Sequence, residues 1–169
     1  MHRRDTIRLP AIALLASALP SNEAMSQQKP LKEQLVGTWA YVSSTATLQD
    51  GSPLWGINPK GLMILTENGR FSWQLFRSDR PKFASKNRMQ GTPEENAADL
   101  RGSLAYFGTY SVDEAEKTIT TVVEGSTFPN SEGETLKRHV TRISADTLIY
   151  ENPATTRGER VEAVWHRLN

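Results

Sequence analysis

The sequence predicts an all-β fold, a closed or nearly closed barrel of eight antiparallel strands with one short helix. Apolar and polar residues alternate with a period of two in eight short runs that are rich in aromatic and β-branched residues, a pattern typical of half-buried strands. Turn-forming residues separate these runs, and an Asn68-Gly69 pair lies between the second and the third. Eight strands suffice to close a small barrel.

The second and third runs form the clearest hairpin. Asn-Gly readily adopts a two-residue type I′ turn, which would pair Ile64 with Trp73 and Leu62 with Leu75. These four side chains and Phe71 are therefore expected to face the barrel interior. The predicted strands are residues 36–43, 61–67, 70–77, 104–112, 117–124, 135–143, 147–151 and 160–167.

One helix interrupts the strands. Thr92, Pro93 and Glu95 place an N-cap, a proline at the first helical position and a glutamate at the third, which together predict a capping box and a helix ending near Arg101. Its apolar residues Ala97, Ala98 and Leu100 are expected to lie against the barrel. The preceding basic stretch, residues 79–91, is predicted to be a loop.

The N-terminal 24 residues are predicted to be a signal peptide. A basic start, with arginines at 3, 4 and 8, precedes an apolar stretch at 9–19, which is shorter than the ~20 residues that span a bilayer. Cleavage after Ala18 or after Ala24 both fit, and the arginine pair permits export by either the twin-arginine or the general route. We expect a periplasmic or secreted protein with a lead-in at 25–34, one domain at 35–169 and no stable membrane span.

Composition narrows the possible functions. The chain has no cysteine, which excludes disulfides and thiolate chemistry. A formal net charge of +1 does not indicate nucleic acid as a partner. The sequence does not predict an oligomeric state.

Seven short strings lie along the chain: LVGTW at 35–39, NPKG at 58–61, GRF at 69–71, RPKF at 80–83, GTPEE at 91–95, FGTY at 107–110 and STFPN at 126–130. By these strings the chain resembles the bacterial and fungal lipocalin-like domains, a branch of the calycin-type barrels, from about Leu35 to Arg167. In such barrels a tryptophan on the first strand seals the closed end, and an arginine on the last strand covers its indole. The resemblance assigns these structural roles to Gly37, Trp39 and Arg167.

No constellation in the sequence demands catalysis. The two histidines of the expected domain, His139 and His166, are far apart and lack a metal-ligand spacing. No nucleophile elbow, phosphate-binding loop or dinucleotide fingerprint occurs. We therefore assign no catalytic residue, metal ligand or cofactor.

The barrel interior remains as the candidate site for a small apolar or amphipathic molecule. Large side chains could instead fill an interior of this size completely, and the sequence leaves both alternatives open. Arg77 and Arg138 are candidates to hold an acidic head group at the barrel mouth. The predicted ligand-binding residues are Leu62, Ile64, Phe71, Trp73, Leu75, Arg77, Tyr106, Tyr110 and Arg138.

The sequence leaves three functions open. The first is an exported small-molecule binding protein. The second is an isomerase or cyclase of the secondary-metabolite type, for which an ionisable residue such as Arg77, Arg138 or His139 would project into a sizeable cavity without a structural partner. The third is a ligand-free structural envelope protein, which would have a solid core.

Overall fold

The structure, a computed structural model, describes residues 29–155 and 157–168. Eight strands form one closed barrel in the order β1 to β8, and every neighbouring pair is antiparallel, which confirms the predicted fold class. The predicted signal peptide, residues 1–24, lies outside the described residues. The strands are β1 (Gly37–Ser44), β2 (Lys60–Leu65), β3 (Arg70–Phe76), β4 (Ser103–Asp113), β5 (Thr118–Ser126), β6 (Thr135–Ile143), β7 (Thr147–Asn152) and β8 (Val161–Leu168).

Two α-helices accompany the barrel among the described residues: α1 (Leu31–Leu35) and α2 (Pro93–Arg101). Thr92 and Glu95 form the predicted capping box at the start of α2. Leu100 is 61% exposed, so the expectation that it packs on the barrel is wrong. No helix in the described ranges is long and apolar enough to span a membrane.

The β2–β3 hairpin differs from the predicted one by a single position. Met63 pairs with Trp73 and Leu65 with Phe71, so these side chains face the core. Leu62 and Ile64 alternate with them, lie on the outer face and are only partly buried. The predicted inward orientation of Leu62 and Ile64 is therefore wrong.

The turn explains this shift. The Thr66 N–H donates to Arg70 O at 2.9 Å, and the Gly69 N–H donates to Thr66 O at 3.1 Å. Gly69 has a φ of 80° whereas Asn68 keeps a negative φ, which excludes the type I′ turn because it needs two positive angles. The loop therefore has three residues and ends in a glycine bulge, and the added residue reverses the facing of β2.

One end of the barrel is closed by α1 and by Trp39, which is fully buried. The Trp39 indole N–H donates to Leu35 O at 2.9 Å, and Arg167 Cζ lies 4.0 Å from the Trp39 ring centroid. The Arg167 guanidinium also donates to the carbonyls of Val36 and Ala145, each at 2.7 Å, and to that of Gln34.

Gly37 makes room for this arrangement. Its φ is 136°, and an added Cβ would lie 2.6 Å from Arg167 Nη1. Arg167 thus joins the first and last strands and the N-terminal helix while it covers the indole.

Candidate functional site

The barrel interior contains two voids of different size. The larger has a volume of about 300 Å³ and lies toward the open end, where the β1–β2 and β7–β8 loops contribute to its lining. The smaller, about 20 Å³, lies deeper and has room for roughly one water molecule. The sequence left open whether the interior is filled or forms a pocket. The structure shows both, because the deep half of the barrel is filled and the outer half is hollow.

Four side chains border both voids and separate them: Trp73, Tyr106, Arg138 and Tyr150. We call this group the floor cluster. The rings of Trp73 and Tyr106 are stacked with centroids 4.9 Å apart, and the Trp73 indole N–H donates to the Tyr150 hydroxyl at 3.1 Å. Neighbouring strands place Trp73 and Tyr106 directly opposite one another, so the barrel register itself assembles the aromatic part of the cluster.

Arg138 supplies the positive charge of the floor cluster. Its Nη1 donates to Lys137 O at 2.8 Å and to Asn152 Oδ1 at 3.2 Å, and its Nη2 makes a long contact of 3.4 Å with the Tyr106 hydroxyl. Its Cζ lies 6.0 Å from the centroid of the Tyr150 ring. The guanidinium is thus positioned by an amide, a carbonyl and two phenols at the inner end of the larger cavity.

The floor carries one charge at neutral pH. Burial raises the pKa of Tyr106 to about 12, although the nearby charge of Arg138 opposes that shift, so Tyr106 remains a neutral phenol. Burial disfavours the charged form of Arg138, but Tyr106 and Tyr150 favour it and the pKa of Arg138 lies above its ordinary value. The cluster therefore combines a guanidinium with the protonated phenol of Tyr106.

The walls above the floor are largely apolar, with Leu75, Leu104, Leu136 and Val161 from four strands. Trp55 from the β1–β2 loop also contributes, and its ring centroid lies 6.4 Å from that of Trp73. A hollow with apolar walls and a few polar groups at one end is the usual form of a small-molecule site.

The predicted site residues lie in several different parts of the structure. Trp73, Leu75, Tyr106 and Arg138 line the larger cavity, whereas Phe71 lines only the smaller void. Leu62 and Ile64 lie on the outer face of β2, for the reason given above.

The remaining two predicted residues are engaged elsewhere. The Tyr110 hydroxyl donates to Thr66 O at 2.8 Å within the filled half. Arg77 forms an ion pair with Asp79 at 2.6 Å and donates to Leu54 O at 2.8 Å. It lies outside the cavity lining and holds the β1–β2 loop, which carries Trp55.

Several lining residues were not predicted from the sequence. Tyr150 and Leu148 share the inward face of β7, and this alternation was a usable signal for Tyr150. Tyr41 alternates in the same way with Trp39 on β1. Trp55 lies in an irregular loop, where no periodicity indicates its direction.

The described residues offer no metal site, since no three histidine or carboxylate side chains among them cluster suitably. Glu159 at the mouth is the only carboxylate among the described residues that line either void, and it forms an ion pair with Arg157. His139 and His166 are exposed. The floor therefore combines donors and a cation without an adjacent base.

A closed antiparallel barrel with a hollow outer half and a polar group at its inner end defines a class, the small calyx-type β-barrels. The family model described as "Lipocalin-like domain" matches residues 36–168. The chain belongs to this lipocalin-like family, as its sequence strings indicated.

Two solved structures are similar to this chain at low sequence identity. A lipocalin-like protein from Bacteroides uniformis is 17% identical with a TM-score of 0.45, and the match covers 80% of this chain and 99% of that one. A bovine odorant binding protein in complex with a selenium-containing odorant is 14% identical with a TM-score of 0.41, over 82% of this chain and 73% of that one. No curated protein matches the chain.

Proposed function

We propose that the protein binds a small apolar or amphipathic molecule in the cavity at the open end of its barrel. The observation that carries this proposal is the cavity of about 300 Å³, which falls at the lower end of the 300–1,000 Å³ range of small-molecule sites. Since one water has about 30 Å³ of liquid volume, the cavity accommodates roughly ten non-hydrogen atoms. A ligand-free structural protein would have no need of such a hollow.

Native mass spectrometry of protein purified gently from its own host tests this proposal. We expect an added small-molecule mass relative to the denatured chain. Leu104→Trp, which fills the cavity from β4, should abolish the added mass. Phe107→Trp is the matched control, because Phe107 lies on the outer face of the same strand and is 49% exposed. Equal retention of the ligand by both variants would contradict binding in the cavity.

The second candidate function is a small-molecule isomerase or cyclase. It is favoured by one observation, the guanidinium of Arg138 beside the neutral Tyr106 phenol at the cavity floor, because such donors can stabilise an enolate oxygen. Proton abstraction also requires a base within hydrogen-bond reach, and among the described lining residues only the ion-paired Glu159 at the mouth carries a carboxylate. Binding without chemistry is therefore our first proposal.

We further propose that the protein works outside the cytoplasm. Support comes from the basic start and the short apolar stretch in residues 1–24. The test is the intact mass of the chain recovered from periplasmic and culture fractions. A chain that starts at Leu19 or Met25 in those fractions is expected, and a full-length chain confined to the cytosol would refute export.

A further inference from the structure

The charge of Arg138 is not neutralised by any carboxylate among the described residues. Ion pairs between arginines and carboxylates do occur among them, and all lie outside the floor cluster; they involve Arg70, Arg77, Arg80, Arg157 and Arg160. The partners of Arg138 are neutral. Arg138 is partly buried, and a cation that loses water without gaining a counter-charge carries a desolvation cost, which a ligand that brings a negative charge would offset.

The same cluster has more hydrogen-bond donors than acceptors. The hydroxyl oxygens of Tyr106 and Tyr150 accept hydrogen bonds from Arg138 and Trp73 respectively. Within the described part of the chain, no acceptor takes the proton of either hydroxyl. Both side chains are less than a tenth exposed. Two phenol protons and a guanidinium therefore meet at the inner end of the cavity, where an atom with several lone pairs would satisfy them together.

The walls between the floor and the mouth of the cavity have a different character. Leu75, Leu104, Leu136 and Val161 surround the space between the floor and the mouth. An apolar body in this space would keep its contacts with these walls while a polar end reached the floor. The positions of these groups thus determine the orientation of the ligand as well as its chemical class.

We infer that the ligand is a small organic anion whose carboxylate, enolate or phenolate oxygen binds to Arg138, Tyr106 and Tyr150, with its apolar body directed toward the mouth. This inference rests on the proposed binding function and names the ligand class for the same cavity. An oxyanion supplies both the missing counter-charge and the missing acceptor. Hydrogen bonds between charged partners are shorter and stronger than neutral ones, so the anion is distinguished from a neutral molecule of the same shape.

Two matched pairs of probes test the inference by isothermal titration calorimetry at neutral pH: octanoate against octanamide and 2-naphthoate against 2-naphthamide. Within each pair the apolar body is the same and only the charge of the head group differs. We expect at least one acid to bind at least about tenfold more tightly than its amide, which corresponds to one strong additional interaction. Equal affinities for acid and amide would overturn the inference.

Substitution of the arginine locates the effect. Arg138→Met should remove the preference for the acid and leave the affinity for the amide within about twofold, and Arg138→Lys should retain part of the preference. Arg142→Met is the matched control, because Arg142 lies on the same strand and is exposed, and it should change neither affinity. An acid preference that survives in Arg138→Met would overturn the assignment to this residue.

The thermal midpoint separates ligand binding from a structural role. If Arg138 serves a ligand, Arg138→Met removes an uncompensated cation and should keep or raise the unfolding midpoint of the ligand-free protein. A clear drop in the midpoint would indicate that Arg138 supports the fold instead, and would overturn the inference. If Leu104→Trp abolishes all probe binding while the parent protein binds acid and amide equally, the proposal of binding in the cavity stands and only the inference of an anionic ligand is refuted. No binding of any probe at millimolar concentration would refute both proposals.

Discussion

Two leucine-to-alanine substitutions on the same strand, Leu65→Ala and Leu62→Ala, test which side chains of β2 point into the barrel. Leu65 is 3% exposed and belongs to the barrel core, whereas Leu62 lies on the outer face and is partly exposed. The three-residue turn predicts a large loss of stability at position 65 and a small one at 62. A two-residue turn would predict the reverse, because it faces Leu62 inward.

The size of the effect follows from the surroundings of Leu65. A buried leucine replaced by alanine costs about 2–5 kcal/mol, and the cost grows with the cavity that remains. Leu65 already borders the void of about 20 Å³, so the deleted side chain enlarges an existing hollow and the expected cost is about 3–5 kcal/mol. At position 62 only part of the side chain leaves water on folding, and the cost should be about 1 kcal/mol.

Thermal unfolding followed by near-ultraviolet circular dichroism measures the difference. For a chain of this size, 1 kcal/mol moves the midpoint by roughly 2–4 °C. We therefore expect Leu65→Ala to lower the midpoint by about 6–20 °C and Leu62→Ala by about 2–4 °C. Urea unfolding at constant temperature provides an independent free energy. Equal losses, or a larger loss for Leu62→Ala, would refute the register of the hairpin.

Three further substitutions test the closed end and the floor. Gly37→Ala should cost about 1–3 kcal/mol in urea unfolding, because an alanine at a φ of 136° is strained and its Cβ displaces Arg167; an unchanged midpoint would contradict this role. Glu114→Ala should cost about 1 kcal/mol, because the Glu114 carboxylate accepts from the Leu31 N–H at 2.6 Å and so caps α1; no loss would show that the cap is dispensable. The raised pKa of Tyr106, about 12 against 10, predicts stability that is fully present below pH 10 and falls toward pH 12 as the unfolded chain ionises first, by about 3 kcal/mol in all. Tyr106→Phe should flatten this alkaline decline in pH-dependent urea unfolding, and an unchanged slope would refute the assignment.

Local sequence signals predicted the elements of this fold well. Alternation located all eight strands to within two residues at each end, and the capping box at Thr92 located the start of α2. These signals are local, because a strand's facing pattern and a helix cap depend on residues close in sequence. The register of the β2–β3 hairpin was predicted from a two-residue turn at Asn68-Gly69, but the chain forms a three-residue turn, and this one added position decided which face of β2 points inward.

The candidate site was predicted only in part. Trp73, Leu75 and Tyr106 were identified because alternation indicated the inward face of their strands, whereas Arg138 was named only as a candidate because the inward face of β6 could not be deduced from the sequence. Trp55 could not be identified, because its position depends on a loop that Arg77 holds through the Leu54 carbonyl. Whether the interior is hollow also depends on the register of all eight strands together, since exchanging the two faces of a single strand changes the volume that remains.

The inward face of β6 contains one residue that stability alone would not place there. Leu136 and Val140 project inward on either side of Arg138, and Val140 is 3% exposed. An apolar residue at position 138 would continue the alternation, fill part of the interior and avoid the cost of partly desolvating a cation. Proteins depart from such local rules chiefly at functional sites. The strand thus places the only charge of the floor cluster at the boundary between the filled and the hollow half of the barrel, where it can contact a ligand without displacing the packed core below.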